Sequence, residues 1–298
     1  MDMIPENLPL TGAAGILAYK LLGPPAGTMG QYLSHAVDYS VENVTRVIEK
    51  ATRKVDPEDL EEEALASPRA IKSVVDEASF SEDEVVAEYL GGVLASSRTS
   101  DGTDDSAVTW SALVGRLSSM QLRLHYALYV SLMDRIRGSD INLGLDTERK
   151  QLTSFIPFRE LLPALELTPR EFGGAFGEAF DGLHAEDLVD DRYMHGAPSD
   201  ELHKMAPGIT EPGLAWGPTV RGLRLLLWGL GHGTKHPNAL RDPDLRWEFE
   251  SDIRWPSDVL FVDDLKAAEK ERTKAEREEK RQERNEQKRA AKAEPKDK

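Results

Sequence analysis

Apolar residues between Ala66 and Met133 recur in two runs spaced three and four apart. In the first, Val85, Val86, Tyr89, Leu90, Val93 and Leu94 follow Ser81 and Glu84, a cap residue and its capping-box partner, so the spacing predicts a helix opening at Ser81. Ser118 and Gln121 repeat the device ahead of the second run. There Leu122, Leu124, Tyr126, Leu128, Tyr129, Leu132, Met133 and Ile136 leave almost no polar face before Gly138 ends the pattern. A helix that is apolar all round belongs inside a bundle rather than on its surface.

Upstream, Val37, Val41, Val44, Ile48 and Ala51 mark an amphipathic helix from Tyr32 to Arg53, with Glu42 facing Arg46 and Glu49 facing Arg53 on its wet side. Asp56, Pro57 and Asp59 begin another segment, which Pro68 interrupts before Ile71, Val74 and Val75 resume the stripe. Arg98 to Asp105 reads as a polar loop, its aspartates lacking the glycine and glutamate spacing of a calcium loop, and Trp110 to Leu117 as a short helix. Gly23, Pro24, Pro25, Gly27 and Gly30 read as a turn, because the Lys-Ser/Thr pair of a phosphate-binding loop is missing.

The pattern changes after Gly138. Residues 139–152 are rich in turn formers and predict a linker between a helical bundle, 1–138, and a second module. Phe158 to Glu166 reads as a helix, Leu167 as a turn, and Thr168, Pro169 and Glu171 as the cap of a helix running to about His184. Leu188 to Met194 reads as extended, Leu214 and Trp216 as the start of a second extended piece, and Thr219 to Gly231 as a closing helix. That order resembles a winged helix over 153–262, a shape often used on DNA. The tail, 263–298, holds 13 basic and 11 acidic residues and no sustained apolar seam, so it is expected to be a solvated helical or disordered appendage. The predicted class is mainly α: a bundle, a small α+β module and a charged tail.

Composition narrows the use of this fold. With 37 Lys plus Arg against 53 Asp plus Glu, the formal net charge of -16 opposes tight contact with nucleic acid or an anionic membrane surface. The second helix of the winged-helix-like pair, where base-reading residues would sit, carries Glu171, Glu178 and Asp181 against Arg170 alone. No cysteine is present, which removes disulfides, thiolate metal sites and a cysteine nucleophile, and fits a cytoplasmic setting. Asp2 and Glu6 stand where a secretory signal would be cationic, and no apolar stretch reaches the ~20 residues of a membrane span. The stretch 8–37 has the alternation that would let it lie on a membrane as a peripheral contact.

Candidate chemistry is sparse. His184, Glu186, Asp187, Asp190, Asp191, His195 and His203 form the densest set of imidazoles and carboxylates. Within it His184 and Asp187 have helical ligand spacing, which makes His184, Asp187 and His195 the candidate metal ligands, for zinc or manganese. His232 and His236 are four apart but sit among Gly231, Gly233 and Pro237, so they read as loop residues. His125 lies on the buried helix, either as a satisfied core histidine or as an acid-base group. No serine stands in a Gly-x-Ser-x-Gly elbow, and no catalytic or cofactor-binding residue is assigned.

The stretch from Leu21 to Leu132 resembles the abortive-infection alpha family of bacterial proteins. The residues that carry the likeness are Leu22, Gly23, Pro24 and Gly30; Asn43; Ala78, Ser79, Glu82, Asp83 and Glu84; Val93, Leu94, Ala95 and Ser96; and Leu117, Ser118 and Ser119. The resemblance implies a helical, non-secreted protein linked to phage exclusion, with no established active site to transfer. Three functions are therefore expected to compete: a defence-associated protein acting through protein contacts, a winged-helix transcription regulator, and a metal-dependent enzyme built around His184 to His203.

Overall fold

Ser118 accepts a hydrogen bond from the Gln121 amide at 3.2 Å while its own amide donates to the Gln121 side chain at 2.8 Å, so the cap foreseen for the buried helix is formed. The computed structural model describes residues 38–55 and 64–293, and within them the chain is mainly helical with two small antiparallel sheets. The proposed membrane-contacting stretch 8–37, the glycine-proline turn at 23–30 and the cap at Asp56 to Asp59 lie outside the described residues.

The first half stacks helices α1 (Asp38–Lys54), α2 (Pro68–Ala78), α3 (Glu84–Ser96), α4 (Ala107–Arg116) and α5 (Ser119–Val130), followed by one turn, α6 (Met133–Ile136). A short ladder, β1 (Leu65–Ala66) with β2 (Arg98–Thr99), pins the loop before α2 to the loop after α3. Every residue of α3 after its first is buried, and in α5 all those from Leu122 onward are except Arg123. These two helices form the middle of the packing, as their unbroken apolar runs require. One boundary differs from the sequence reading: α3 is capped by Asp83, whose carboxylate accepts from the Val85 amide at 2.9 Å, and not by Ser81. Glu84 is drawn instead to Lys50 at 3.0 Å and Arg46 at 3.4 Å on α1, so it does not fold back over the helix start.

After α7 (Asp146–Arg149) and a single 3-10 turn the chain enters β3 (Ser154–Pro157), then α8 (Phe158–Ala164), α9 (Pro169–Ala185), β4 (Met194–Gly196), α10 (Asp200–Met205), β5 (Gly213–Trp216) and α11 (Val220–Gly229). With β6 (Leu260–Phe261) these strands make an antiparallel sheet in the order β4-β5-β3-β6. Ser154 lies opposite Trp216 and Pro157 opposite Gly213, and both central strands are fully buried. The two-residue period then sorts the side chains. Ile156, Leu214 and Trp216 join the main core, whereas Phe155 and Ala215 pack with Leu202, Ile209 and Val262 on the opposite face.

One hydrophobic core runs from Val44 to Ile253, so residues on both sides of 139–152 share it. Trp110 of α4 stacks on Trp228 of α11 with ring centres 5.8 Å apart. Between α3 and α11 the backbones touch: a Cβ at Gly92 would overlap the Gly229 carbonyl, and one at Gly229 would press on the Tyr89 ring. The irregular stretch after the 3-10 turn Pro237–Arg241 closes the core with Leu245, Phe249 and Ile253. The described residues end in α12 (Val262–Ala293), a single helix whose root is docked by Val262 and by the Arg135–Asp264 pair at 3.2 Å. Among the described residues no helix is long and apolar enough to cross a membrane.

Candidate functional site

The cluster singled out from the sequence does not converge on one point. His184, in the last turn of α9, sets its Nε2 3.1 Å from Asp191 Oδ1 rather than against Asp187. Asp187 turns the chain off the helix with a φ of 57°, and its carbonyl accepts from the Thr219 hydroxyl at 2.7 Å. His195 sits on β4 with its ring 6.3 Å from that of Tyr193, which is itself 5.1 Å from the His184 ring. The tyrosine thus lies beside both imidazoles. Among the described residues no three His, Asp or Glu side chains are grouped to hold a metal ion. His203 is bound to the Ile209 carbonyl at 2.8 Å, and His236 accepts from the Asn238 amide at 3.2 Å, so both fasten local turns.

His125 is fully buried, and its partners fix its state. Nε2 lies 3.1 Å from the Gly222 carbonyl, which can only accept, so Nε2 carries the proton and Nδ1 accepts from the Tyr89 hydroxyl at 2.5 Å. Burial pushes the imidazole down to about 3 against the opposing pull of the Gly222 carbonyl, and it pushes the Tyr89 hydroxyl well up. The ring also stacks on Tyr129 at 4.5 Å. Tyr129 donates to the Leu188 carbonyl at 2.6 Å and accepts from the Thr219 amide at 3.0 Å, while Tyr126 accepts from the Phe249 amide at 3.0 Å. These bonds tie α3 and α5 to the start of α11, to Leu188 and to Phe249. His125 is the satisfied core histidine of the two readings.

A second buried polar group escaped the sequence reading. Glu88, in the middle of α3 and wholly inaccessible, accepts from Lys54 at 2.5 Å and Lys50 at 2.8 Å on α1, and from the Ser251 amide and hydroxyl at 3.0 and 2.8 Å. Burial would raise its pKa, but the Lys54 charge, the lysine hydrogen bonds and Ser251 outweigh it and hold the carboxyl down at about 2. Burial in turn draws Lys54 below its ordinary value, although the Phe249 ring lies 4.5 Å beneath its ammonium. The signal was an acid embedded in the otherwise apolar run Val85 to Leu94. The group ties α1, α3 and the 245–255 segment together, with Glu88 and Lys54 buried and Ser251 at its partly exposed edge.

What does face outward is α9. Phe172, Phe176, Ala179, Phe180 and Leu183 form its buried stripe, and the rings of Phe172 and Phe176 stack at 4.8 Å. The other side presents Arg170, Glu171, Glu178 and Asp181 around Gly173, Gly174 and Gly177, where an added Cβ would meet only open space. The Thr168 amide and hydroxyl donate to Glu171 at 3.1 and 2.6 Å, which fixes the start of that face. The result is a smooth, net-acidic helix surface. No family model, curated protein or solved structure matches this chain.

Proposed function

We propose that this chain is a non-enzymatic bacterial interaction protein, cytoplasmic and associated with phage defence, that acts through protein contacts made by α9 of a winged-helix-like module. The helical first half bears the resemblance to the abortive-infection alpha family. Support for the module is topological: β3, α8, α9, β4 and, after the short α10, β5 follow in the order of a winged helix, and β5 lies between β3 and β4. The single observation that carries the contact reading is the outer face of α9, which in such a module would enter a DNA groove. Glu171, Glu178 and Asp181 repel phosphates there, and Gly173, Gly174 and Gly177 offer no side chain to read a base. The same face lets a basic protein surface approach the helix backbone closely.

The test is phage plating on a strain lacking the protein, complemented with the native chain or with Glu171→Lys, Glu178→Lys and Asp181→Lys together. Protection restored by the native chain and lost with the triple variant, with the circular dichroism of the purified variant unchanged, is the expected result. Plating that is indifferent to the deletion across a broad phage panel overturns the defence reading. Salt-sensitive retention of the native chain on DNA would move the assignment to a transcription regulator.

A further inference from the structure

A cleft of about 480 Å³ opens where four pieces of chain meet: the 146–153 turn, β4, α10 and the root of α12. Its size falls in the range of sites that enclose small molecules. The chain as a whole carries a formal charge of -16, yet Arg149, Lys150, Arg192, Lys204 and Lys266 all line this one hollow. Four acids line it as well, one fewer than the bases, and they pair with all of the cations except Lys266. Asp146 is taken by Lys150 at 2.7 Å and Arg149 at 3.4 Å, Asp190 by Arg192 at 3.5 Å and Glu201 by Lys204 at 2.5 Å. Asp263 is the fourth, and Lys266, one turn along α12, has no ion-pair partner among the described residues.

Arg149 is the independent observation. It is about nine-tenths buried, its Nη1 donates to the Leu143 carbonyl at 3.1 Å, and its Nε-H is buried without an acceptor. A native fold rarely leaves such a donor unsatisfied. Much of the remaining wall is apolar, with Tyr193, Met194, Met205 and Val262 contributing to it. Buried guanidinium, unpaired ammonium and a thioether-lined slot select one kind of guest.

We propose that this cleft binds a small organic anion, its phosphate or carboxylate held between Arg149 and Lys266 and its apolar body laid against Tyr193, Met194 and Met205. Because Arg149 belongs to the body and Lys266 to α12, the guest bridges the two. The test is calorimetric titration of the full chain with phenyl phosphate, benzoate and inorganic phosphate. Saturable binding of phenyl phosphate or benzoate is expected, whichever is tighter naming the head group, with inorganic phosphate at least about tenfold weaker for want of an apolar body. Lys266→Gln, an exposed change that leaves the fold intact, is expected to weaken the tighter probe at least about fivefold. Failure of both organic probes to saturate by about 10 mM, or equal binding by the Lys266→Gln chain, overturns the proposal.

Discussion

His125 is buried neutral and Glu88 buried charged, and pH separates them. The imidazole falls from an ordinary 6.5 to about 3 on folding, so the unfolded chain binds its proton first and stability declines as pH drops from 6.5 towards 3. The slope of that decline is about 1.4 kcal/mol per pH unit. Glu88 falls from 4.5 to about 2, so its contribution is complete above 4.5 and is lost as pH falls through 2. Denaturant unfolding at a series of pH values should therefore show His125→Gln flattening the dependence between pH 6.5 and 4.5 while leaving the steeper loss below it. Glu88→Gln has a different expected signature. It strands Lys54 as an inadequately compensated buried ammonium and should destabilise the fold at pH 7 by about 3–5 kcal/mol, whereas Glu88→Leu with Lys54→Met should recover much of that loss. Neutral results in the single variant would show that water reaches the site.

Helix glycines of the same residue type have opposite predicted effects because of where their helices lie. Gly92→Ala forces α3 off the Gly229 carbonyl of α11 and should lower stability by about 1–3 kcal/mol, read as a drop in Tm. Gly173→Ala on the open face of α9 should raise it by about 0.5–1 kcal/mol, since only backbone freedom in the unfolded chain changes. Sequence pattern found α3, α5, α9 and α11 because each carries a continuous apolar stripe or a capping box that acts locally. It passed over β3, whose four residues are buried on both faces and so show no alternation, and it assigned nothing to 245–255, an irregular segment whose Phe249 and Ile253 reach the core without any period. The candidate ligands His184, Asp187 and His195 are close in sequence but diverge in space, because the left-handed turn at Asp187 and the Tyr193 ring intervene. The anion cleft was invisible for the converse reason: Arg149 and Lys266 are brought together only by the packing of α12 onto the sheet.

For the whole molecule, the shared core decides how it comes apart. Trp110 and Trp228 stack across elements more than a hundred residues apart, and Trp216 lies edge-on to Tyr129, so loss of either half exposes both. Tryptophan fluorescence and near-ultraviolet dichroism should show one transition in denaturant with coincident midpoints, and two separated transitions would refute it. α12 stands apart from that unit, since beyond its root most of its described side chains are exposed. Its 32 residues extend about 48 Å at 1.5 Å each. Such a rod is a lever with its fulcrum at Val262: a tilt of about 10° at the pivot sweeps the far tip through roughly 8 Å. A displacement too small to disturb the sheet is thereby magnified into one that a distant grip on the rod would feel.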